Sequence, residues 1–289
     1  MNYGMHIVIT ISIYLILALS LNLVTGYAGL LSLCHAAFWG AGAYISTVLM
    51  IKVGLPFVPS AVLALVGAVL LSFTISIPAL RLKGDYLVLG SLAFQLIVFG
   101  LLYNWTSVTN GPYGITNIPS PHLLGYEVAS IQAYFVFTLV VTALCAGTMY
   151  LIGNSPFGRV LKAIREDEIA AAALGKNVPR YKIVIFAISA GFAAIAGVLF
   201  AGYTHYIDPS VFSLTESFFV LSLIIIGGTG NMLGPVLGTV LLLLLPEALY
   251  LLKVPDTIGP SLRQIIYGVL IILVMRLRPQ GIAGEYRFE

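Results

Sequence analysis

NSPFGRVLKAIREDEIAAAALGKNVPRYK, residues 154–182, is the one sustained run of charge in a chain that is otherwise apolar almost throughout. Arg159, Lys162, Arg165, Glu166, Asp167 and Glu168 fall within ten residues. At a bilayer centre each Arg, Lys or Asp costs roughly 2.5–3.5 kcal/mol, so six such groups would cost on the order of 15 kcal/mol. This segment therefore stays in water while its neighbours enter lipid. It also reads as a helix marked at both ends. Ser155 suits the N-cap, and Pro156 suits the first helical position, where a missing N–H costs nothing. The Ala170–Ala173 run favours helix. Gly175 can take the left-handed conformation that ends a helix, and Pro179 prevents continuation. Phe157, Val160, Leu161, Ile164, Ala171 and Leu174 recur at three- and four-residue spacings and form one apolar stripe. Such a segment is either a solvated connection or an amphipathic helix with something in the aqueous phase to dock against.

Composition fixes the class of the rest. The chain has 289 residues, 60% hydrophobic and 9% charged, against about 25% charged in soluble domains. It reads as a polytopic membrane protein, all-α, a transmembrane helical bundle. The formal net charge is +3, with no basic surface large enough for nucleic acid. Cys34 and Cys145 lie in apolar stretches and are expected as free, buried thiols. The first apolar run has no charged n-region and no small-residue cleavage site, so it reads as a first span and not as a cleaved signal.

A helix needs about 20 apolar residues to cross a bilayer. Working outward from the charged segment, Ile131–Ile152 and Ile183–Tyr203 flank it as spans. Upstream lie His6–Thr25, Leu30–Ile51, Phe57–Leu80 and Tyr86–Tyr103, then a loop, Asn104–Ser130, without Lys or Arg. Downstream, Glu216–Ile226 is half a span before Gly227-Gly228-Thr229-Gly230, followed by Met232–Leu252 and a short Ser261–Met275. About nine membrane segments result, in a single permease-like domain over residues 1–289 with a polar tail at 276–289. Arg81 and Lys83, the six Lys and Arg of residues 154–182, and Arg276, Arg278 and Arg287 can share one side. The positive-inside rule makes that side cytoplasmic and puts the N-terminus outside. Lys52, Lys253 and Arg263 fall on the outer side. Gly26–Tyr44 and Gly227–Thr239 are both Gly-rich entries into apolar helices, a faint internal echo of the interrupted helices that mark transport pathways.

No catalytic constellation and no metal spacing appears among His6, His35, His122 and His205, and no phosphate loop, so the chain alone cannot hydrolyse ATP. Asp208, Glu216 and Glu247 plot near the outer boundary, and none is paired with an opposite charge deep in a span as proton relays require. The polar groups inside, Asn22, Thr25, Ser32, His35, Ser46, Thr47 and Gln95, are neutral. They suit a solute passed along without a fixed deep ion pair. His35 is either a pathway residue or a satisfied core histidine. Gly230, Gly234 and Gly238 repeat at four, as do Ala193, Gly197 and Ala201, and such faces let helices approach closely. Gly40, Gly42 and Tyr44 could instead open one helix face to a pathway.

LSLNLVTGYAGLLSLCHAAFWGAGAY (19–44), RLKGDYLVLGSLAF (81–94), NGPYGI (110–115), the charged segment and GGTGNMLGPVLG (227–238) together resemble the permeases of branched-chain amino-acid ABC transporters, in the LivM-like branch. The general importer coupling motif reads EAA---G, whereas here Glu168 lies seven residues before Gly175, one more than that pattern. The resemblance implies a permease in a bacterial inner membrane. Its partners would be a second, LivH-like permease, two cytoplasmic ATPase subunits that use ATP and Mg, and a periplasmic substrate-binding protein. No cofactor is implied for this chain itself. Phe157, Arg159, Val160, Leu161, Lys162, Ile164, Arg165, Glu168 and Gly175 are then expected to couple to the ATPase, the stripe docking and the cations lying at its rim. Asn22, Thr25, His35, Gly40, Gly42, Tyr44 and Gln95 are expected along the substrate pathway. Branched-chain amino acids are the family's commonest cargo. Urea, short amides and other small organic acids are carried by close relatives. A secondary transporter or a hydrophobic redox subunit would need a deep carboxylate pair or a liganding His pair, and neither is present in the pattern.

Overall fold

The computed structural model describes residues 2–79, 84–123, 126–251, 259–278 and 280–284. Arg81, Lys83, Lys253 and Arg287 lie outside them. Helix α1 (Asn2–Asn22) runs on into a π-helical turn, Leu23–Tyr27, and the chain then travels without helix until α2 (His35–Lys52). Next come α3 (Phe57–Ala79), α4 (Asp85–Asn104), a short α5 (Thr106–Thr109), and α6 (Ile131–Asn154). The charged segment gives α7 (Pro156–Glu166) and α8 (Glu168–Ala173), and α9 (Val178–Thr204), α10 (Leu214–Gly227), α11 (Leu233–Leu251) and α12 (Gly259–Leu277) complete the order.

Five helices are long and apolar enough to cross a membrane: Tyr3–Tyr27, Phe57–Pro78, Asp85–Asn104, Ile131–Asn154 and Val178–Thr204. With α2, α10, α11 and α12 they account for the nine segments expected. The second segment begins later than its hydropathy implies. Residues 28–34 dip inward as irregular chain, and helix starts only at His35. Irregular backbone at membrane depth is tolerated where protein covers it, and Ser32, Leu33 and Cys34 are all buried.

Two helices carry the centre. In α1 and α9, 67% of the spanning window is buried, against 22% in α6. Small residues bring the central backbones together. A Cβ on Gly42 of α2 would lie 2.4 Å from Ala194 Cα of α9, and one on Gly197 would lie 2.1 Å from Trp39 O. At the second close interface, Gly238 of α11 faces Leu223 O of α10 and Gly234 faces Gly228 O, each at 1.9 Å from an added Cβ. Gly230 is not on that helix face. It precedes α11, in the turn, with φ +91°.

α10 spans only half the bundle because it starts inside it. The preceding 3₁₀ turn, Pro209–Phe212, descends from the rim until Phe212 O meets Gln95 Nε2, 2.8 Å away, near the middle of α4. The chain between α4 and α6 folds over the same rim, where Ile115–Thr116 pairs antiparallel with Tyr206–Ile207. At the opposite rim residues 280–284, expected as part of a polar tail, fold back onto α10. Ile282 N donates to Ile226 O (3.0 Å) and Ala283 N to Gly227 O (2.9 Å). These satisfy carbonyls that a helix end leaves without partners.

Candidate functional site

Most of the interior polar residues tie elements to one another, in separate hydrogen-bonded groups. The first turn of α2 presents amides that the side chain of its own N-cap, Cys34, does not satisfy, the Cys34 carbonyl accepting only from Ala37 N at 3.1 Å. Neighbouring helices supply the acceptors. Ala37 N donates to Gln95 Oε1 (2.7 Å), Ala36 N to Ser217 Oγ (3.1 Å) and Leu33 N to Ser91 Oγ (2.9 Å). Ser217 Oγ in turn donates to Gln95 Oε1 at 3.2 Å. Gln95 therefore ties α4 to α2, α10 and the Phe212 turn at once, and none of its polar atoms remains unused. Ser91 and Gln95 share one face of α4 at a spacing of four, a signal present in the sequence. Ser217 carried no such signal, because its partner lies far away in the chain.

His35 is a satisfied core histidine. Its Nε2 lies 2.9 Å from Ser20 Oγ and 3.4 Å from Ser189 Oγ, and the ring is buried. Thr25 Oγ1 donates to Leu30 O (3.2 Å) and closes the turn after α1. Asn22 joins the two Gly-rich motifs: its Nδ2 donates to Asn231 O (2.7 Å) and its Oδ1 accepts from Gly230 N (3.2 Å). Gly40 and Gly42 do not open a face. Phe212 and Leu102 cover the first, and the Ala194 backbone covers the second. Tyr44 differs from the others. It is buried, packs edge-on to Phe212 with centroids 5.9 Å apart, and its hydroxyl has no hydrogen-bond partner among the described residues, nor has that of Thr47 one turn on.

The charged segment is two helices and not one. Ser155 caps α7, accepting from Gly158 N at 3.2 Å, and Gly175 takes φ +78° after α8. Between them Asp167 adopts extended backbone, φ −151°, and its Oδ1 accepts from Ile169 N (2.8 Å) and Ala170 N (3.0 Å). An Asp N-cap in the middle of a helical pattern starts a new helix, since its side chain competes with the continuing ladder. The break divides the expected stripe, burying Leu161, Ile164 and Ala171 and leaving Leu174 exposed. Leu161 and Ile164 are 1% and 4% exposed, packed on their own chain, and Phe157 stacks on Tyr181 at 5.2 Å. Arg165 donates from Nη1 to Gly26 O (2.6 Å), Lys162 lies over the Tyr27 ring at 5.0 Å, and Glu168 pairs with Lys182 at 2.8 Å. Arg159 faces outward, as do Ile169 and Leu174, the last two each 79% exposed. Beside Arg165, Glu168 and Lys182 a cavity of about 360 Å³ opens toward Asp85 at the start of α4.

A buried helical bundle with two interrupted helices, neutral polar ties and an amphipathic pair of surface helices at one rim defines a polytopic membrane permease. The model of the permease component of branched-chain amino acid transport systems matches residues 5–275, and the chain belongs to that family. It is 36% identical to the high-affinity branched-chain amino acid transport system permease protein LivM of Salmonella typhimurium, over 93% of this chain and 67% of that protein. To the probable LivM permease of Methanocaldococcus jannaschii it is 28% identical, over 96% of this chain and 92% of the other. The LivH permease of Escherichia coli K12 is 26% identical over 96% of this chain and 93% of its own length. No solved structure matches the chain.

Proposed function

We propose that this chain is the membrane-spanning permease subunit of an ATP-driven, binding-protein-dependent importer of branched-chain amino acids, working beside a LivH-like permease. The observation that carries this reading is the α7–α8 pair. It lies between two spans, with Leu161, Ile164 and Ala171 of its stripe buried inward, while Leu174 at the end of that stripe and its neighbour Ile169 are left 79% exposed. Exposed apolar side chains beside charged ones are available for burial against a partner. The occupant proposed is a cytoplasmic ATPase subunit, which would bind ATP and Mg, since this chain carries no phosphate loop. A periplasmic binding protein would deliver cargo to the rim formed by residues 104–130 and 205–213. Of the residues proposed for the pathway, Tyr44 keeps a hydroxyl without a partner among the described residues, whereas the amides of Asn22 and Gln95 and the imidazole of His35 are hydrogen-bonded within the chain. Lys182 is the only buried charged residue among those described, and it is ion-paired. Deeper in the bundle, at the start of α10, Glu216 accepts a hydrogen bond from the Tyr14 hydroxyl at 3.1 Å.

The importer reading is tested by co-expressing the chain with a LivH-like permease, its ATPases and its binding protein in vesicles loaded with ATP. Leucine uptake should require ATP and the binding protein, and excess urea should not compete. Uptake driven by a proton gradient without ATP would overturn the assignment. Orientation is tested separately, in a background lacking Cys34 and Cys145. A cysteine at Ala172, exposed on α8, should resist an impermeant thiol reagent in intact cells. One at Tyr113, 82% exposed on the other rim, should react. Equal reaction at both would reject the cytoplasmic placement of α7 and α8.

A further inference from the structure

The end of α1 is held from two directions. Residues Leu23–Tyr27 form a π-helical turn, all five buried, and π turns inside or beside α-helices are frequent at functional sites. The carbonyls at a helix end lack partners within the helix and carry its negative pole. Here α7 supplies the cations. Arg165 Nη1 donates to Gly26 O at 2.6 Å, and Lys162 Nζ lies 5.0 Å from the Tyr27 ring centroid. Gly153, at the end of α6, leaves space for that ring: a Cβ there would lie 2.8 Å from Tyr27 Cε1.

On its other side the same turn grips the junction of α10 and α11. Asn22 donates to Asn231 O and accepts from Gly230 N, at 2.7 and 3.2 Å. Gly26 packs backbone on backbone, since a Cβ there would lie 2.6 Å from Gly230 N. Asn231 then caps α11, accepting from Gly234 N at 2.9 Å, and its amide donates to Ala283 O in the folded-back C-terminal segment. From α7 to α11 the side chains of Arg165, Asn22 and Asn231 each bond a backbone atom of the next element, and Gly26 meets Gly230 backbone to backbone.

We propose that Arg165 and Asn22 are positioning residues that join α7 to the α10–α11 junction through the π turn. Movement of α7 carries the turn with it, and Asn22 passes the displacement to the two short helices. Arg165 is thus a link within the permease and not a contact of the ATPase. This inference rests on the coupling role proposed above for α7 and α8.

The experiment uses the complete complex in vesicles and reads two quantities, ATP hydrolysis and uptake per ATP. Arg165→Ala should keep at least half of the binding-protein-stimulated hydrolysis while uptake per ATP falls about tenfold, and Asn22→Ala should show the same split. Arg165→Lys, which can still donate to Gly26 O, should recover part of the ratio. A decisive variant combines Gly29→Cys with Arg165→Cys in a background lacking Cys34 and Cys145. A Cβ at Gly29 would lie 3.3 Å from Arg165 Cβ, close to the roughly 3.5–4.5 Å of a disulfide, and because Gly29 holds φ +68°, Gly29→Cys alone must retain the wild-type ratio for the pair to be read. Oxidation should restore uptake per ATP by re-tying α7 to the turn, and reduction should remove it in the same sample, which a folding defect cannot imitate. Arg165→Ala with an unchanged ratio, or a formed disulfide whose reduction changes nothing, would overturn the link while leaving the importer reading intact. Wild-type complex without ATP-driven uptake would instead overturn both.

Discussion

Gly197→Val should abolish accumulation of folded permease, and Gly147→Val should not. Both glycines lie within spanning helices, and the sequence around each is equally apolar. The difference is what an added Cβ meets. At Gly197 it would stand 2.1 Å from Trp39 O and 2.7 Å from Ala43 N, and at Gly147 nothing lies within 4 Å. The obstruction at Gly197 is backbone of α2, so relief requires α2 and α9 to move apart by more than an ångström. Trp39 would move with α2, and its ring packs edge-on against Phe200 and Phe212 at 5.0 and 4.9 Å. Ordinary overpacking costs about 1–3 kcal/mol. Separating the two helices at the centre of the bundle exceeds that, because it also strands the amides at the start of α2 that Gln95 and Ser217 satisfy. Gly42→Leu should fail in the same way, since Ala194 Cα lies 2.4 Å from its added Cβ. The measurement is the monodisperse fraction of a fluorescent fusion in mild detergent. Equal monodisperse yield for Gly197→Val and Gly147→Val would refute the backbone contact.

Why the sequence revealed so much of the fold, and less of the site, follows from the range of the forces involved. Span positions depend on local hydropathy and end signals, which are written in neighbouring residues. Ser155, Pro156 and Gly175 mark the ends of the charged segment, and the structure keeps all three roles. The half-length of α10 was legible from the glycines that end it. The late start of α2 was not, because Leu30–Cys34 is as apolar as a helix, and its burial depends on distant packing. The break at Asp167 carried a local signal, a capping residue followed by a run of alanines, outweighed by the strong stripe on either side of it. The direction of the stripe was illegible. Periodicity gives an apolar face but not what covers it, and here the permease's own chain covers Leu161 and Ile164. Among the pathway residues, polarity picked out Asn22, His35 and Gln95, which the structure shows hydrogen-bonded between helices. Their hydrogen-bond partners lie far off in the chain, and these decide between passage and framework.

Replacing Ile169 and Leu174 together by Asp should uncouple the permease from its ATPases without harming the permease, and Leu161→Asp should do the reverse. Both apolar side chains are 79% exposed, so their loss removes little from the folded chain, and surface changes of this kind usually stay within about 0.5 kcal/mol. If each is buried on docking, each contributes roughly 1.5–3 kcal/mol. Part of that is lost to ordering the interface, but a carboxylate placed in an apolar groove adds a desolvation penalty of its own. A net change of about 3 kcal/mol would weaken association on the order of a hundredfold. The double variant should therefore reach the membrane at the wild-type level, yield no ATPase subunits on purification, and show no uptake. Leu161 lies 1% exposed beneath α7. An Asp there leaves a charge in the permease core, so the expected loss is in permease level, with whatever survives still holding its ATPases. The outcomes are opposite in the two assays, membrane level and co-purification. If the double variant kept its ATPases while Leu161→Asp shed them at normal level, the stripe on α7 would be the docking face after all, and α8 only a solvated connection.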